Sequence, residues 1–214
     1  MPVDAQVAEA LLKIGGVGFR PDDPITFKSG IISPVYCDNR TFPFWPAQWK
    51  IVIDGFAALI AQQSIDFDVI GGIEAAGIPH SAALGYAMQR PSIFIRKQPK
   101  EHGKRSRIEG GDVRGKRVLL VEDLVTTGSS SLSGVQALRD AGAIVTDCLA
   151  IISYGFHEAV VAFETADVRL HTLTDFETVL QTAMERGELK ANDAEAVRSW
   201  LREPYGWASR RGIQ

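Results

Sequence analysis

The stretch Val118–Ser131, VLLVEDLVTTGSSS, decides how this chain is read. Four apolar residues, Val118 to Val121, follow Lys116-Arg117 and stop at two acids, Glu122 and Asp123. A run so short, branched and flanked by charge predicts a buried strand of a parallel sheet. Leu124-Val125 then lead into Thr126-Thr127-Gly128-Ser129-Ser130-Ser131, small and hydroxylated, followed by Leu132, Val135, Leu138 and Arg139 at helical spacing. A strand ending in hydroxyls and free N–H groups at a helix N-terminus is a ready phosphate site. The acids add specificity. Phosphate gains nothing from adjacent carboxylates, whereas ribose hydroxyls donate charge-assisted hydrogen bonds to them. Side chains alternate along an extended segment, so Glu122 and Asp123 can serve different groups. Acids for the sugar and hydroxyls for its phosphate describe a ribose-phosphate site; the plain alternative is a strand, a turn and a capped helix without ligand.

Working outward, the same order repeats. Phe67 to Ile73 predicts a buried strand, followed by Glu74-Ala75-Ala76-Gly77-Ile78-Pro79, with Pro79 in the first turn of a helix. Ser92 to Ile95, Ala143 to Ser153 and Val168 to Leu173 predict further strands, the last two separated by a helix from His157 to Glu164. Strand-helix repetition gives a parallel α/β sheet with right-handed crossovers. Before it, Val3 to Ile14 predicts a helix stopped by Gly15-Gly16, Phe19 to Arg40 a strand pair lying over the main sheet, and Pro43 to Gln63 a long helix. The tryptophans at 45, 49, 200 and 207 sit at spacings that suit core or dimer contacts better than a stacking platform. After it, Asp175 is expected to cap a helix through Arg186, and Asn192 or Asp193 another ending near Arg202, both structural.

With 214 residues, 45% of them hydrophobic, the chain can bury one full core. A net charge of −3 offers no basic field for nucleic acid. Cys37 and Cys148 are far apart, which suits a reducing, cytoplasmic setting. The opening residues, with Asp4 and Glu9, do not read as a secretion signal, and no run is long enough for a membrane span. One segment breaks the pattern: from Arg96 to Arg107, six Lys or Arg and one His fall within twelve residues, with Pro99 and glycines preventing a stable helix. A solvated basic loop is the plain reading. No interleaved aromatic residues favour single-stranded nucleic acid.

The apolar strand, acid pair, two apolar residues, Thr-Thr-Gly and small hydroxyls of residues 118–131 resemble the motif by which type I phosphoribosyltransferases bind 5-phosphoribosyl 1-diphosphate, PRPP. Phe27 to Arg40, with Lys28-Ser29-Gly30, Ser33-Pro34, Tyr36 and Asp38-Asn39-Arg40, is similar to the N-terminal hood of the orotate phosphoribosyltransferase family. Arg96-Lys97, Lys100 and His102-Gly103 resemble that family's catalytic loop. The resemblance implies an α/β fold: a type I phosphoribosyltransferase-like parallel sheet flanked by helices, with a small N-terminal hood. It implies a single domain over 1–214, with the hood at about 1–40, the core at 41–175 and C-terminal helices at 176–214.

The implied activity converts orotate and PRPP to orotidine 5′-phosphate and pyrophosphate, in pyrimidine biosynthesis. By the same resemblance, Glu122 and Asp123 hold ribose hydroxyls. Leu124 and Val125 lie within the PRPP segment, and Thr126, Thr127, Gly128, Ser129 and Ser130 hold the 5-phosphate, Thr126 also touching orotate. Lys28 contacts the diphosphate or the base, orotate in the latter case, and Val35 and Tyr36 lie beside the base. Ala75, Ala76 and Gly77 form the pyrophosphate loop, with Ala76 where other members carry lysine. Arg96 and Lys97 bind pyrophosphate oxygens; Lys100 and His102, with Asp123, are the catalytic groups. Mg²⁺ is implied without direct protein ligands, and a homodimer whose loop 96–111 serves the neighbouring site. Many family members carry an arginine for the orotate carboxylate where this chain reads Ser153-Tyr154-Gly155-Phe156-His157. Either Lys28 or main-chain N–H groups hold that carboxylate, or the base differs. A purine or other pyrimidine as base, and a PRPP-sensing regulator without catalysis, are the competing readings.

Overall fold

The computed structural model describes residues 1–27, 29–98 and 106–213. The chain begins with α1 (Val3–Lys13), which buries Val7, Ala8 and Leu11. Four short strands follow: β1 (Val17–Phe19), β2 (Ile25–Thr26), β3 (Ile32–Ser33) and β4 (Val35–Cys37). They form two antiparallel ladders, β1 with β4 and β2 with β3, where the sequence suggested one strand pair. A 3-10 turn (Asn39–Phe44) leads into α2 (Pro46–Gln62). The helix starts at Pro46, not Pro43, because Pro43 belongs to the turn and Pro46 takes a first helical position, where no N–H is required.

The main body then alternates: β5 (Val69–Ile73), α3 (Gly77–Met88), β6 (Ser92–Ile95), β7 (Ile108–Glu109), β8 (Val118–Val125), α4 (Ser129–Asp140), β9 (Asp147–Ser153), α5 (His157–Thr165) and β10 (Arg169–Asp175). Helices α6 (Phe176–Glu185), α7 (Ala191–Arg202) and α8 (Trp207–Arg210) follow. Asp175 caps α6 as expected, accepting from the Thr178 N–H at 2.8 Å. For α7 the cap is Lys190, and Asn192 and Asp193 lie inside the first turn.

The sheet runs β10-β9-β8-β5-β6-β7, parallel except for β7. That edge strand lies in a stretch the sequence suggested was loop; Glu109 and Ile108 pair with Phe94 and Ile95, so the basic segment leaves from a hairpin stem. Strand β8 also runs past its apolar head. Glu122, Leu124 and Val125 pair with Ala150, Ile152 and Ser153 of β9, so the neighbour's ladder carries the extended backbone through the acids. Alternation sends Leu119 and Val121 into the core shared with α1, α2, the hood and the C-terminal helices. Val118 and Leu120 point to the opposite face, under α4 and α5. Trp200 and Trp207 are fully buried, and Trp200 Nε1 donates to the Ile32 carbonyl at 2.8 Å, tying α7 to the hood. Strands β5, β6, β8 and β9 end at one edge, the place where such sheets bind ligands.

Candidate active site

Strand β8 delivers the acid pair to that edge. Glu122 is buried, with Ser131 Oγ of α4 donating to its Oε2 at 3.2 Å. Burial, then the adjacent Asp123 charge, pushes the Glu122 carboxyl well above its usual range. Asp123 is raised too, chiefly by burial. Two carboxylates this close share protons, and a partner that donates hydrogen bonds relieves both. Asn39, wholly buried, reaches across from the hood and donates its Nδ2 to the Asp123 carbonyl at 2.7 Å. The sequence offered no signal for this role beyond membership of the Asp-Asn-Arg string.

Beyond the acids the chain turns through Thr126, Thr127 and Gly128 into α4. Gly128 adopts φ +81°, a left-handed conformation open to glycine, and a Cβ there would press on the Phe163 ring. Thr127 Oγ1 and Ser129 Oγ lie 3.0 Å apart over the first turn of α4. Hydroxyls and unpaired N–H groups thus converge where a phosphate fits.

Two cavities, each about 350 Å³, meet here and share Cys37 and Leu124. One lies between hood and sheet and is walled by Phe27, Ser29, Tyr36, Thr126, Thr127 and Tyr154. The other is walled by Asp38, Arg40, Glu74, Ala75, Ala76, Lys97, Glu122, Asp123 and Ser130. In the second, Glu74 Oε2 accepts from the Lys97 N–H at 2.8 Å, linking the ends of β5 and β6, and the Glu74–Ala75 peptide is cis. Arg40 grips Asp38 through Nε at 2.6 Å and Nη2 at 2.7 Å, and Tyr36 donates to Asp38 at 3.0 Å. Arg40 holds the Asp38 carboxyl below its usual range.

The structure therefore brings Leu124, Lys97, Ala75, Ala76 and Ser130 to the acid pair, and Tyr36, Thr126 and Thr127 to the hood cavity. Other expected residues stand back from both. Gly77 opens α3, and a Cβ on it would collide with the Val121 carbonyl, so its service is close packing. Val125 is buried and its carbonyl accepts from the Tyr154 N–H at 3.0 Å. Arg96 turns toward Glu109, Nη1 to Oε1 3.8 Å. Val35 is buried in the core, and Cys37 faces the cavity in its place. Lys28, Lys100 and His102 lie outside the described residues. Missed by the sequence reading were Arg40, Glu74, Cys37, Phe27 and Tyr154 as walls, because only the hood's fold over the sheet brings them together.

A parallel sheet whose central strand ends in an acid pair, followed by a hydroxyl loop at a helix start, defines a phosphoribosyltransferase. Residues 46–160 match the family model described as the phosphoribosyl transferase domain. The orotate phosphoribosyltransferase of Coxiella burnetii is 38% identical over 202 residues, 94% of this chain and 97% of that protein. Among solved structures, the Aeropyrum pernix orotate phosphoribosyltransferase superposes with a TM-score of 0.74 at 27% identity, over 84% of this chain and 98% of that one. The Mycobacterium tuberculosis orotate phosphoribosyltransferase in complex with PRPP gives 0.67 at 27% identity, over 83% and 99%. The chain belongs to the orotate phosphoribosyltransferase family.

Proposed function

We propose that this enzyme transfers the phosphoribosyl group of PRPP to N1 of orotate, and that the observation carrying the assignment of its site is the acid pair, Glu122 buried and Asp123 half-buried, walling one of two joined cavities. The C1–O bond to diphosphate breaks with its electron pair leaving on oxygen. N1 of orotate forms the new bond to C1 and gives up its proton, yielding orotidine 5′-phosphate and pyrophosphate. Glu122 and Asp123 accept hydrogen bonds from the ribose hydroxyls, and their charge favours the oxocarbenium character that develops on the ring. Thr126 to Ser130 hold the 5-phosphate. The cavity walled by Ala75, Ala76 and Lys97 takes the diphosphate, where Arg40 is a further cation at the rim. The hood cavity takes the base, beside Tyr36 and Lys28.

The basic segment 96–111 supplies Lys100 and His102 over the departing diphosphate, and His102 protonates it. We assign it to the neighbouring subunit's site, in a homodimer acting in the cytoplasm; no described helix is long and apolar enough to cross a membrane. The whole chain serves as one unit of hood, core and C-terminal helices. Among the described residues no group of three or more His, Cys, Asp or Glu is placed to hold a metal ion. Two carboxylates beside hydroxyls make an incomplete all-oxygen set suited to Mg²⁺, and Glu122 and Asp123 would hold such an ion through water while the substrate supplied the other oxygens. When bound, the cation neutralises and shapes the diphosphate.

The test mixes two inactive chains. Lys100→Ala and Asp123→Asn homodimers should each lose at least about a hundredfold in kcat. Co-refolding them should restore activity in the hybrid, where one site keeps both groups. No recovery would show that each subunit works alone.

A further inference from the structure

We propose that Tyr154 is a specificity-determining residue whose phenol donates a hydrogen bond to the carboxylate of orotate at the floor of the hood cavity. The inference rests on the reading of that cavity as the base site and names the group within it that recognises the anion.

Tyr154 follows β9, and its N–H bonds to the end of β8, so its backbone is fixed beside Leu124 and Thr126. Its ring is held by other rings. Phe176 stacks on it at 4.5 Å and 6°, and Phe156 at 5.4 Å and 16°. Trp200 meets it edge-on at 5.2 Å, and Phe27 lies tilted by 43° at 5.7 Å. Rings from the hood, from α6 and from α7 thus set where the hydroxyl sits, which is the support that precise recognition needs.

The residue is 5% exposed, yet it walls the cavity. Its hydroxyl makes no hydrogen bond among the described residues, and it is not one of their sealed, unpartnered polar atoms, so it meets the open space of the cavity. Buried tyrosine hydroxyls are normally partnered, so one left open toward a ligand-sized space awaits an acceptor that arrives with the ligand. Burial pushes the phenol well above its ordinary range, so it stays protonated and donates. Of the other hydroxyls of these walls, Tyr36 donates to Asp38 and Thr127 is shared with Ser129, while those of the exposed Ser29 and half-buried Thr126 lack the packed rings that fix the Tyr154 phenol. The described walls of this cavity contain no Lys, Arg or His. A neutral donor is therefore what they offer to an anion, and the carboxylate is the strongest acceptor on orotate.

Steady-state kinetics on Tyr154→Phe test this, since the substitution keeps the stacked ring and removes the oxygen. The orotate KM should rise roughly ten- to a hundredfold, the range for a hydrogen bond to a charged group. The PRPP KM and the thermal midpoint should stay near wild type. The inhibition constant of uracil, which lacks the carboxylate, should not change. An unchanged orotate KM in the folded variant overturns the proposal, as does a parallel rise in the PRPP KM. A uracil constant that rises with the orotate KM moves the contact to a ring carbonyl and overturns it equally. Wild-type protein that turns over no orotate would remove the base site itself, a failure recognisable without the variant.

Discussion

The two ends of the central sheet treat their acids in opposite ways. At the N-terminal edge, Asp68 receives the Arg117 backbone N–H at 2.8 Å and Nη2 at 3.0 Å, and its pKa falls to about 2. On the same edge, Asp147 takes Arg169 at 2.9 Å and His171 at 2.7 Å. Burial alone would raise Asp147, but hydrogen bonds from Arg169, His171 and Thr146 outweigh it and leave it low. At the C-terminal edge, Glu122 and Asp123 form no ion pair among the described residues, and both are raised. The first pattern closes a fold. The second leaves a buried Glu122 and a half-buried Asp123 without a cation among the described residues, a cost the fold bears because a ligand relieves it.

Activity should show the contrast most strongly. Asp123→Asn is expected to lower kcat by about 10²–10³ without lowering the thermal midpoint, since the lost charge stabilises a transition state rather than the fold. A kcat within tenfold of wild type would break the comparison. Asp147→Ala should do the reverse, with kcat/KM unchanged and stability reduced by about 2 kcal/mol, because Arg169 is largely in water while Asp147 is not. Calorimetry should register that as a midpoint drop of about 4–8 °C.

The smallest effect is the sharpest in sign. Carboxyls raised by folding hold more protons in the native than the unfolded chain, so they subtract stability as pH rises above about 4. Asp68 and Asp147, held low, add stability above that pH and lose it on acidification. Glu122→Gln should therefore raise the midpoint at pH 7–8 by about 2–4 °C, roughly 1 kcal/mol, with the gain fading near pH 4. A destabilised variant at pH 8 would show that the carboxylate is better satisfied than its burial implies.

Local chemistry made the core of the site legible. Glu122, Asp123 and the Thr126–Ser130 loop were readable because strand, acids, turn and helix start are contiguous, and each residue type has few other uses in that order. The parallel order of the sheet followed from strand-helix alternation. The extent of β8 did not, because the ladder that keeps residues 122–125 extended belongs to β9. Nor did β7, two residues that are strand only because β6 lies beside them.

What the sequence alone determined was the ribose-phosphate half of the pocket, since contiguous residues carry their geometry with them. Tertiary structure decided the rest: Asn39 braces Asp123 from 84 residues away, and Trp200 backs Tyr154 from the far end of the chain. Contacts closed by the hydrophobic core are set by which faces pack together, and no local pattern of residues records which partner a face will meet.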